Sequence, residues 1–176
     1  MLSWRIKGGE AQERFGARLA GFLADGLVFY LEGDLGAGKT TLVRGLLRGL
    51  GHDGSVRSPT YTLMESYPLG GKSIHHLDLY RLGDPEELEF LGIRDICDGH
   101  SILLVEWPGN GAGMLPPADL VLQIRHAGEA RILHLMPQSA AGEGFLRRLT
   151  GADLPVALDG IGDNKDEEYL LIRDSH

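Results

Sequence analysis

The chain has 176 residues, enough for one domain with a sizeable core, and its 43% hydrophobic and 24% charged residues are ordinary for a globular protein. A net charge of −8 argues against independent, non-specific binding to nucleic acid, which needs a basic face. Cys97 is the one cysteine, which excludes an internal disulfide, and neither a long apolar run nor a signal-peptide core is present, so a soluble, cytoplasmic protein without a membrane role is expected.

In chain order, Glu10 to Leu23 reads as an amphipathic helix with Ala11, Phe15 and Leu19 on one face. Leu27-Val28-Phe29-Tyr30-Leu31 is a short apolar run with the composition of a buried strand. It leads into Gly33-Asp34-Leu35-Gly36-Ala37-Gly38-Lys39-Thr40, followed by Thr41, which matches the phosphate-binding P-loop pattern G-x-x-x-x-G-K-[ST]. Thr41 to Leu50 then carries apolar residues at helical spacing, ended by Gly51. Strand, glycine loop and helix is the context in which the motif has physical meaning. Gly33, Gly36 and Gly38 let the backbone approach a polyphosphate closely, and the amides from Gly36 to Thr40 at the helix N-terminus point at its oxygens. Lys39 is expected to reach the β- and γ-phosphates and the Thr40 hydroxyl to ligate Mg²⁺.

Beyond a polar loop to Ser58 and Pro59, residues 60–67 have strand composition, and Pro68, Gly70 and Gly71 form a turn. Residues 74–81 alternate as a second strand. Asp84-Pro85-Glu86-Glu87 is a helix start, with Asp84 as N-cap and Glu87 in the capping-box position, and the helix closes at Gly92. Ile102-Leu103-Leu104-Val105 reads as a buried strand delivering Glu106 at its C-terminal end, the edge where open α/β sheets bind ligands. Residues 120–125 and 131–136 flank Ala127-Gly128 as a hairpin, and 143–149 form a last helix. Residues 1–150 are thus one domain. Residues 151–176 are an acidic extension holding five of the eight excess negative charges, expected to be solvated or disordered.

A nucleotide-hydrolysing P-loop also needs an acid at the metal and a polar group to orient water. Glu106 suits the metal, although a surface acid at a strand end gives the same pattern. Asp78 shares its strand face with His76 and Tyr80, so polar groups converge there, although a solvated outward face gives the same pattern. His75 and His76 point to opposite faces and cannot chelate one ion together. Phe15, Phe22 and Phe90 are expected in the core, and Cys97 as a small buried thiol.

Five stretches in order (GDLGAGKTT at 33–41, SPTYTL at 58–63, HLDLYR at 76–81, PEELEFLGIRD at 85–95 and EWP at 106–108) closely resemble the bacterial tRNA threonylcarbamoyladenosine biosynthesis ATPase family TsaE. The resemblance covers residues 10 to 150. It implies an α/β single-domain P-loop NTPase fold: a mainly parallel central sheet flanked by helices, with an antiparallel hairpin. It further implies ATP and Mg²⁺ as cofactors, TsaB and TsaD as partners, tRNA reached through that complex, and a product carrying threonylcarbamoyl on adenosine 37. Carried over by position, Gly36 to Thr40 hold phosphates, and Thr40 with Glu106 holds Mg²⁺. Asp78 lies near the γ-phosphate, its water or the metal. Thr60 sits in a loop resembling a GTPase switch, Trp107 is either a functional aromatic or a core anchor, and Arg131 either stands near the nucleotide or is an exposed hairpin arginine. Two departures stand out. Gln12 replaces the threonine the family usually places near the adenine, and the tail, whose Asn164-Lys165-Asp166-Glu167 only approximates the guanine signature N-K-x-D, extends past the family's end.

Two other functions compete with the ATPase. A small-molecule P-loop kinase would close an arginine-rich lid over its acceptor, but the arginines here are scattered. A nucleotide-gated adaptor would bind ATP and partners with little hydrolysis, using the Thr60 loop as an order–disorder switch.

Overall fold

The computed structural model describes residues 1–151 and the backbone of 169–172. The residues that position the site lie on one mixed sheet. In chain order the strands are β1 (Leu2–Lys7), β2 (Val28–Gly33), β3 (Met64–Leu69), β4 (Lys72–Asp78), β5 (Ile102–Glu106), β6 (Leu120–Ala127), β7 (Ala130–Pro137) and β8 (Tyr169–Ile172). Their spatial order is β3-β4-β5-β2-β6-β7-β1-β8. The central four, β4, β5, β2 and β6, run parallel, while β3 on one side and β7, β1 and β8 on the other are antiparallel to their neighbours. The expected α/β fold with a parallel centre and a hairpin is therefore present. Because the central strands share a direction, their C-terminal ends emerge at one edge, and Gly33, Asp78 and Glu106 emerge there together.

Both faces of the central sheet are covered. Every residue of β5 is buried, with Ile102 and Leu104 packing into a large apolar cluster and Leu103 and Val105 into a smaller one. Two-sided burial is why that strand reads as a continuous apolar run instead of an alternation. The larger cluster is closed by α1 (Gly9–Ala20), α2 (Lys39–Gly49) and α5 (Ala140–Gly151), through Phe15, Leu19, Leu42, Val43, Leu46 and Phe145. Helices α1 and α2 meet backbone to backbone. A Cβ built on Gly45 would stand 2.0 Å from the Glu13 carbonyl oxygen, and one on Gly16 would stand 2.4 Å from that of Leu42. Arg44 and Arg48 both reach the Glu13 carboxylate across the same contact.

Several elements differ from the sequence expectation. Residues 60–63 are a turn, not strand: Leu63 has φ 61°, a left-handed value incompatible with a strand, and its amide donates to the Pro59 carbonyl. Strand β4 ends at Asp78, so Tyr80 lies beyond it and not on its face. Phe90 is 91% exposed instead of core. Its helix, α3 (Glu87–Phe90), is a single turn whose one inward position is taken by Leu88. Glu87 accepts from the Asp84 amide and Asp84 from that of Glu86, but the helix starts at Glu87 with Glu86 as its N-cap, so Asp84 holds the turn before the helix and is not its cap. A second short turn, α4 (Ile93–Ile96), follows Gly92, and Cys97 is half-buried instead of fully buried. Strand β1 was not anticipated. Strand β8, inside the stretch expected as a solvated tail, pairs with β1, and Asn164 to Glu167 lie outside the described residues. No helix among the described residues is long and apolar enough to cross a membrane.

Candidate functional site

The glycine loop leaves β2 at Gly33 and enters α2 at Lys39. Gly38 is the N-cap with φ 100°, a left-handed conformation that requires glycine, and a Cβ there would stand 2.4 Å from the Gln12 amide nitrogen and displace that side chain. A glycine N-cap supplies no side chain to the first amides of the helix, which leaves them for an anion. Gln12, buried on α1, donates Nε2 to the carbonyls of Gly38 at 2.9 Å and Ala37 at 3.3 Å. Here it braces the loop from behind.

Lys39 crosses the loop. Its Nζ donates to the Gly33 carbonyl at 2.6 Å and the Asp34 carbonyl at 2.9 Å, and lies 4.1 Å from the Trp107 ring centroid. Burial pushes the ammonium below its ordinary value, against the opposing pull of Glu106, Asp78 and Asp34. With two of three N–H groups on carbonyls, one donor remains. Trp107 has φ 56°, a strained value for a non-glycine residue, and its ring also packs against Tyr80 at 5.0 Å.

The two acids stand side by side. Asp78 and Glu106 are paired in register across β4 and β5, and both are almost fully buried. Glu106 Oε1 accepts from the Thr40 hydroxyl at 2.9 Å and lies 2.8 Å from His76 Nε2. Asp78 Oδ2 accepts from the Ser58 hydroxyl and from that of Thr60 at 3.1 Å, while Oδ1 accepts from the Tyr80 amide at 3.1 Å. Ser58 and Thr60 are 2.7 Å from one another. Asp78 is thus a buried acid that ties down the 58–60 turn, not a solvated one.

Lys39, Thr40, Ser58, Thr60, Asp78, Glu106 and Trp107 line a cavity of about 550 Å³, together with Leu35, Gly36, Gly38, Thr41, Tyr80 and Arg81. Gly33, Asp34 and Ala37 contribute carbonyls behind it and do not line it. Arg131 is not brought to this cavity: it is the second residue of β7, opposite His126 and Ile6, with its guanidinium on the Ala130 carbonyl. Sequence reasoning gave no role to two contributors, Ser58 and Arg81. Ser58 was legible only as part of SPTYTL. Arg81, the second cation at the cavity, lies over the exposed Tyr61 ring at 4.8 Å. His76, expected among the polar groups on the Asp78 face and excluded only from chelating one ion with His75, touches Glu106 directly.

Among the described residues no three His, Cys, Asp or Glu side chains cluster as a metal cage. The donor set fits Mg²⁺ nonetheless. Mg²⁺ prefers hard oxygens and is usually held by one or two carboxylates plus water and substrate phosphates, and here a hydroxyl oxygen and a carboxylate adjoin at 2.9 Å.

A strand–glycine loop–helix unit at the C-terminal edge of a parallel sheet, with a lysine in the loop and paired acids on the adjoining strands, defines an α/β protein of the P-loop class. The family model described as "Threonylcarbamoyl adenosine biosynthesis protein TsaE" matches residues 6–133, and the chain belongs to that family. The tRNA threonylcarbamoyladenosine biosynthesis protein TsaE of Haemophilus influenzae is 51% identical over 138 residues, spanning 76% of this chain and 87% of that protein. The protein of the same name from Bacillus subtilis is 39% identical over 128 residues, spanning 73% and 80%. The crystal structure of Bacillus subtilis YdiB aligns with a TM-score of 0.74 at 30% identity, covering 87% of this chain and 98% of the other.

Proposed function

We propose that this chain is a Mg²⁺-dependent ATPase that serves the threonylcarbamoyl modification of tRNA adenosine 37, acting with TsaB and TsaD and meeting tRNA through them. The family and the names of its relatives support the pathway. The observation that carries the activity is the meeting of Lys39, Thr40, Glu106 and Asp78 at one cavity in front of α2. That cavity suits a polyphosphate better than an apolar ligand, because open helix amides and an ammonium face it.

Thr40 and Glu106 would hold Mg²⁺, which when bound neutralises charge on the phosphate oxygens and orients them. Lys39 supplies its remaining N–H to the transferring group. Asp78 accepts a hydrogen bond from the attacking water and aligns it. A carboxylate has about four acceptor sites, and three donors reach Asp78 here, so capacity remains. The Ser58–Thr60 turn, tied to that same acid, brings the Thr60 hydroxyl next to the incoming nucleotide. Measuring ATP turnover of the protein and of Lys39→Ala, with and without TsaB and TsaD, tests the reading. Loss of turnover in the variant is expected, and undiminished turnover would overturn it.

One observation favours a second reading. Because Ser58 and Thr60 bond to Asp78, a nucleotide that competes for this acid also rearranges the turn, as a gated adaptor requires. ATP-dependent partner binding that survives Asp78→Asn, with negligible hydrolysis by the native protein, would favour the adaptor.

A further inference from the structure

We propose that His76 is the positioning residue that selects which oxygen of Glu106 meets the metal. The inference rests on Glu106 being a Mg²⁺-holding carboxylate, as proposed above.

His76 sits on β4, two residues before Asp78, and is fully buried. Its strand neighbours are Leu104 on one side and Glu65 on the other, and Ile74, two residues earlier on the same face, belongs to the apolar core. A histidine here needs a reason, because a leucine would bury more apolar surface and leave no polar atom unsatisfied. Nδ1 is indeed unsatisfied: it is buried and has no hydrogen-bond partner among the described residues. Such orphans are uncommon in folded proteins and call for a compensating role.

Nε2 supplies that role. It lies 2.8 Å from Glu106 Oε1, and a carboxylate oxygen can only accept, so the ring proton is on Nε2 and is donated to Glu106. The Thr40 hydroxyl donates to the same oxygen at 2.9 Å. Two donors from different elements, one on β4 and one on α2, therefore converge on Oε1. They fix the rotation of the carboxylate and leave Oε2 without a donor among the described residues. With the hydroxyl alone, the carboxylate could exchange its two oxygens. With both donors it presents one oxygen in one orientation to the cavity it lines. Partners that orient a metal-binding group in this way commonly alter metal affinity by about 10- to 100-fold when removed.

The test uses the full chain and a fluorescent, non-hydrolysable ATP analogue, titrated with Mg²⁺, so the readout does not depend on turnover. His76→Gln keeps an N–H donor at about the reach of Nε2, His76→Asn keeps the polarity but falls short, and His76→Phe removes the donor. Thermal denaturation without nucleotide shows whether each variant is folded. The Mg²⁺ concentration for half-maximal binding is expected to rise about tenfold in His76→Asn and His76→Phe. Binding without Mg²⁺, which relies on Lys39 and the loop amides, is expected to be unchanged, and His76→Gln to stay close to the native protein. If His76→Phe does not fold, the contrast between Gln and Asn decides alone. Equal Mg²⁺ dependence in Asn and Gln overturns the inference. Glu106→Gln separates the two levels: if it leaves the Mg²⁺ dependence intact, the metal reading fails. If it abolishes the dependence while His76→Asn does not alter it, only the role of His76 fails.

Discussion

Asp78 and Glu106 face each other in register at the ends of two neighbouring parallel strands, yet each has its own set of donors. Ser58, Thr60 and the Tyr80 amide serve Asp78, and Thr40 and His76 serve Glu106. The separate partners divide the work, with Glu106 tied to the phosphate helix and Asp78 to the 58–60 turn.

That division predicts different failures. Asp78→Ala should lower turnover by about 10²-fold or more, the usual worth of a positioned acid or base, and should speed amide hydrogen exchange across residues 58–63. Glu106→Ala should lower turnover without loosening that turn. Single-turnover hydrolysis together with hydrogen exchange distinguishes the two.

Gln12→Ala should weaken ATP binding although the glutamine does not line the main cavity. Removing its amide leaves the Ala37 carbonyl without this donor, while the Gly38 carbonyl keeps the Leu42 amide, and a buried group left unsatisfied costs about 1–3 kcal/mol. Part of that loss should appear as lower stability in urea and part as lower affinity in a nucleotide titration.

Gly45→Ala should destabilise the fold despite alanine's higher helix propensity. The new methyl would meet the Glu13 carbonyl at 2.0 Å, so α1 and α2 must separate. Overpacking of this kind costs about 1–3 kcal/mol, against about 1 kcal/mol gained in propensity. Urea denaturation reads the net sign.

Asp98 gives a pH signature. Hydrogen bonds from the Ser101 and His100 amides hold its carboxyl down to about 2, from an ordinary 3.8. A lowered folded-state value stabilises the protein above the unfolded value, and the contribution disappears as pH falls through the folded one. The stability difference between the native protein and Asp98→Asn should therefore be constant above about pH 5 and shrink between pH 3.8 and 2, as followed by acid unfolding.

The sequence made the site's floor legible because the glycine loop's spacing is dictated by local backbone chemistry. Glu106 was legible for a related reason: a strand buried on both faces is a plain apolar run, and the first acid after it must emerge at the edge. What stayed hidden depended on distant partners. Strand β1 contributes Trp4 and Ile6 to the core, but its pairing with β7 spans most of the chain and leaves no local mark. Phe90 fits a helical face, yet a one-turn helix has no second inward position, so Phe90→Ser should change stability by no more than about 0.5 kcal/mol. His76 was legible as a polar group on the Asp78 face, but its bond to Glu106 depends on a pairing across strands that leaves no mark in the sequence.

The glycine contacts between α1 and α2 carry one more implication. They join the phosphate loop, its helix and the brace behind it into a single stiff anvil with no slack for a side chain. Shape adjustment around a guest must then come from the opposite jaw, residues 58 to 63, which hydroxyls fasten to Asp78, or from a visiting protein. Substitutions that tune timing belong on that jaw, and those at the glycine contacts between the two helices will cost the fold before they alter the tempo.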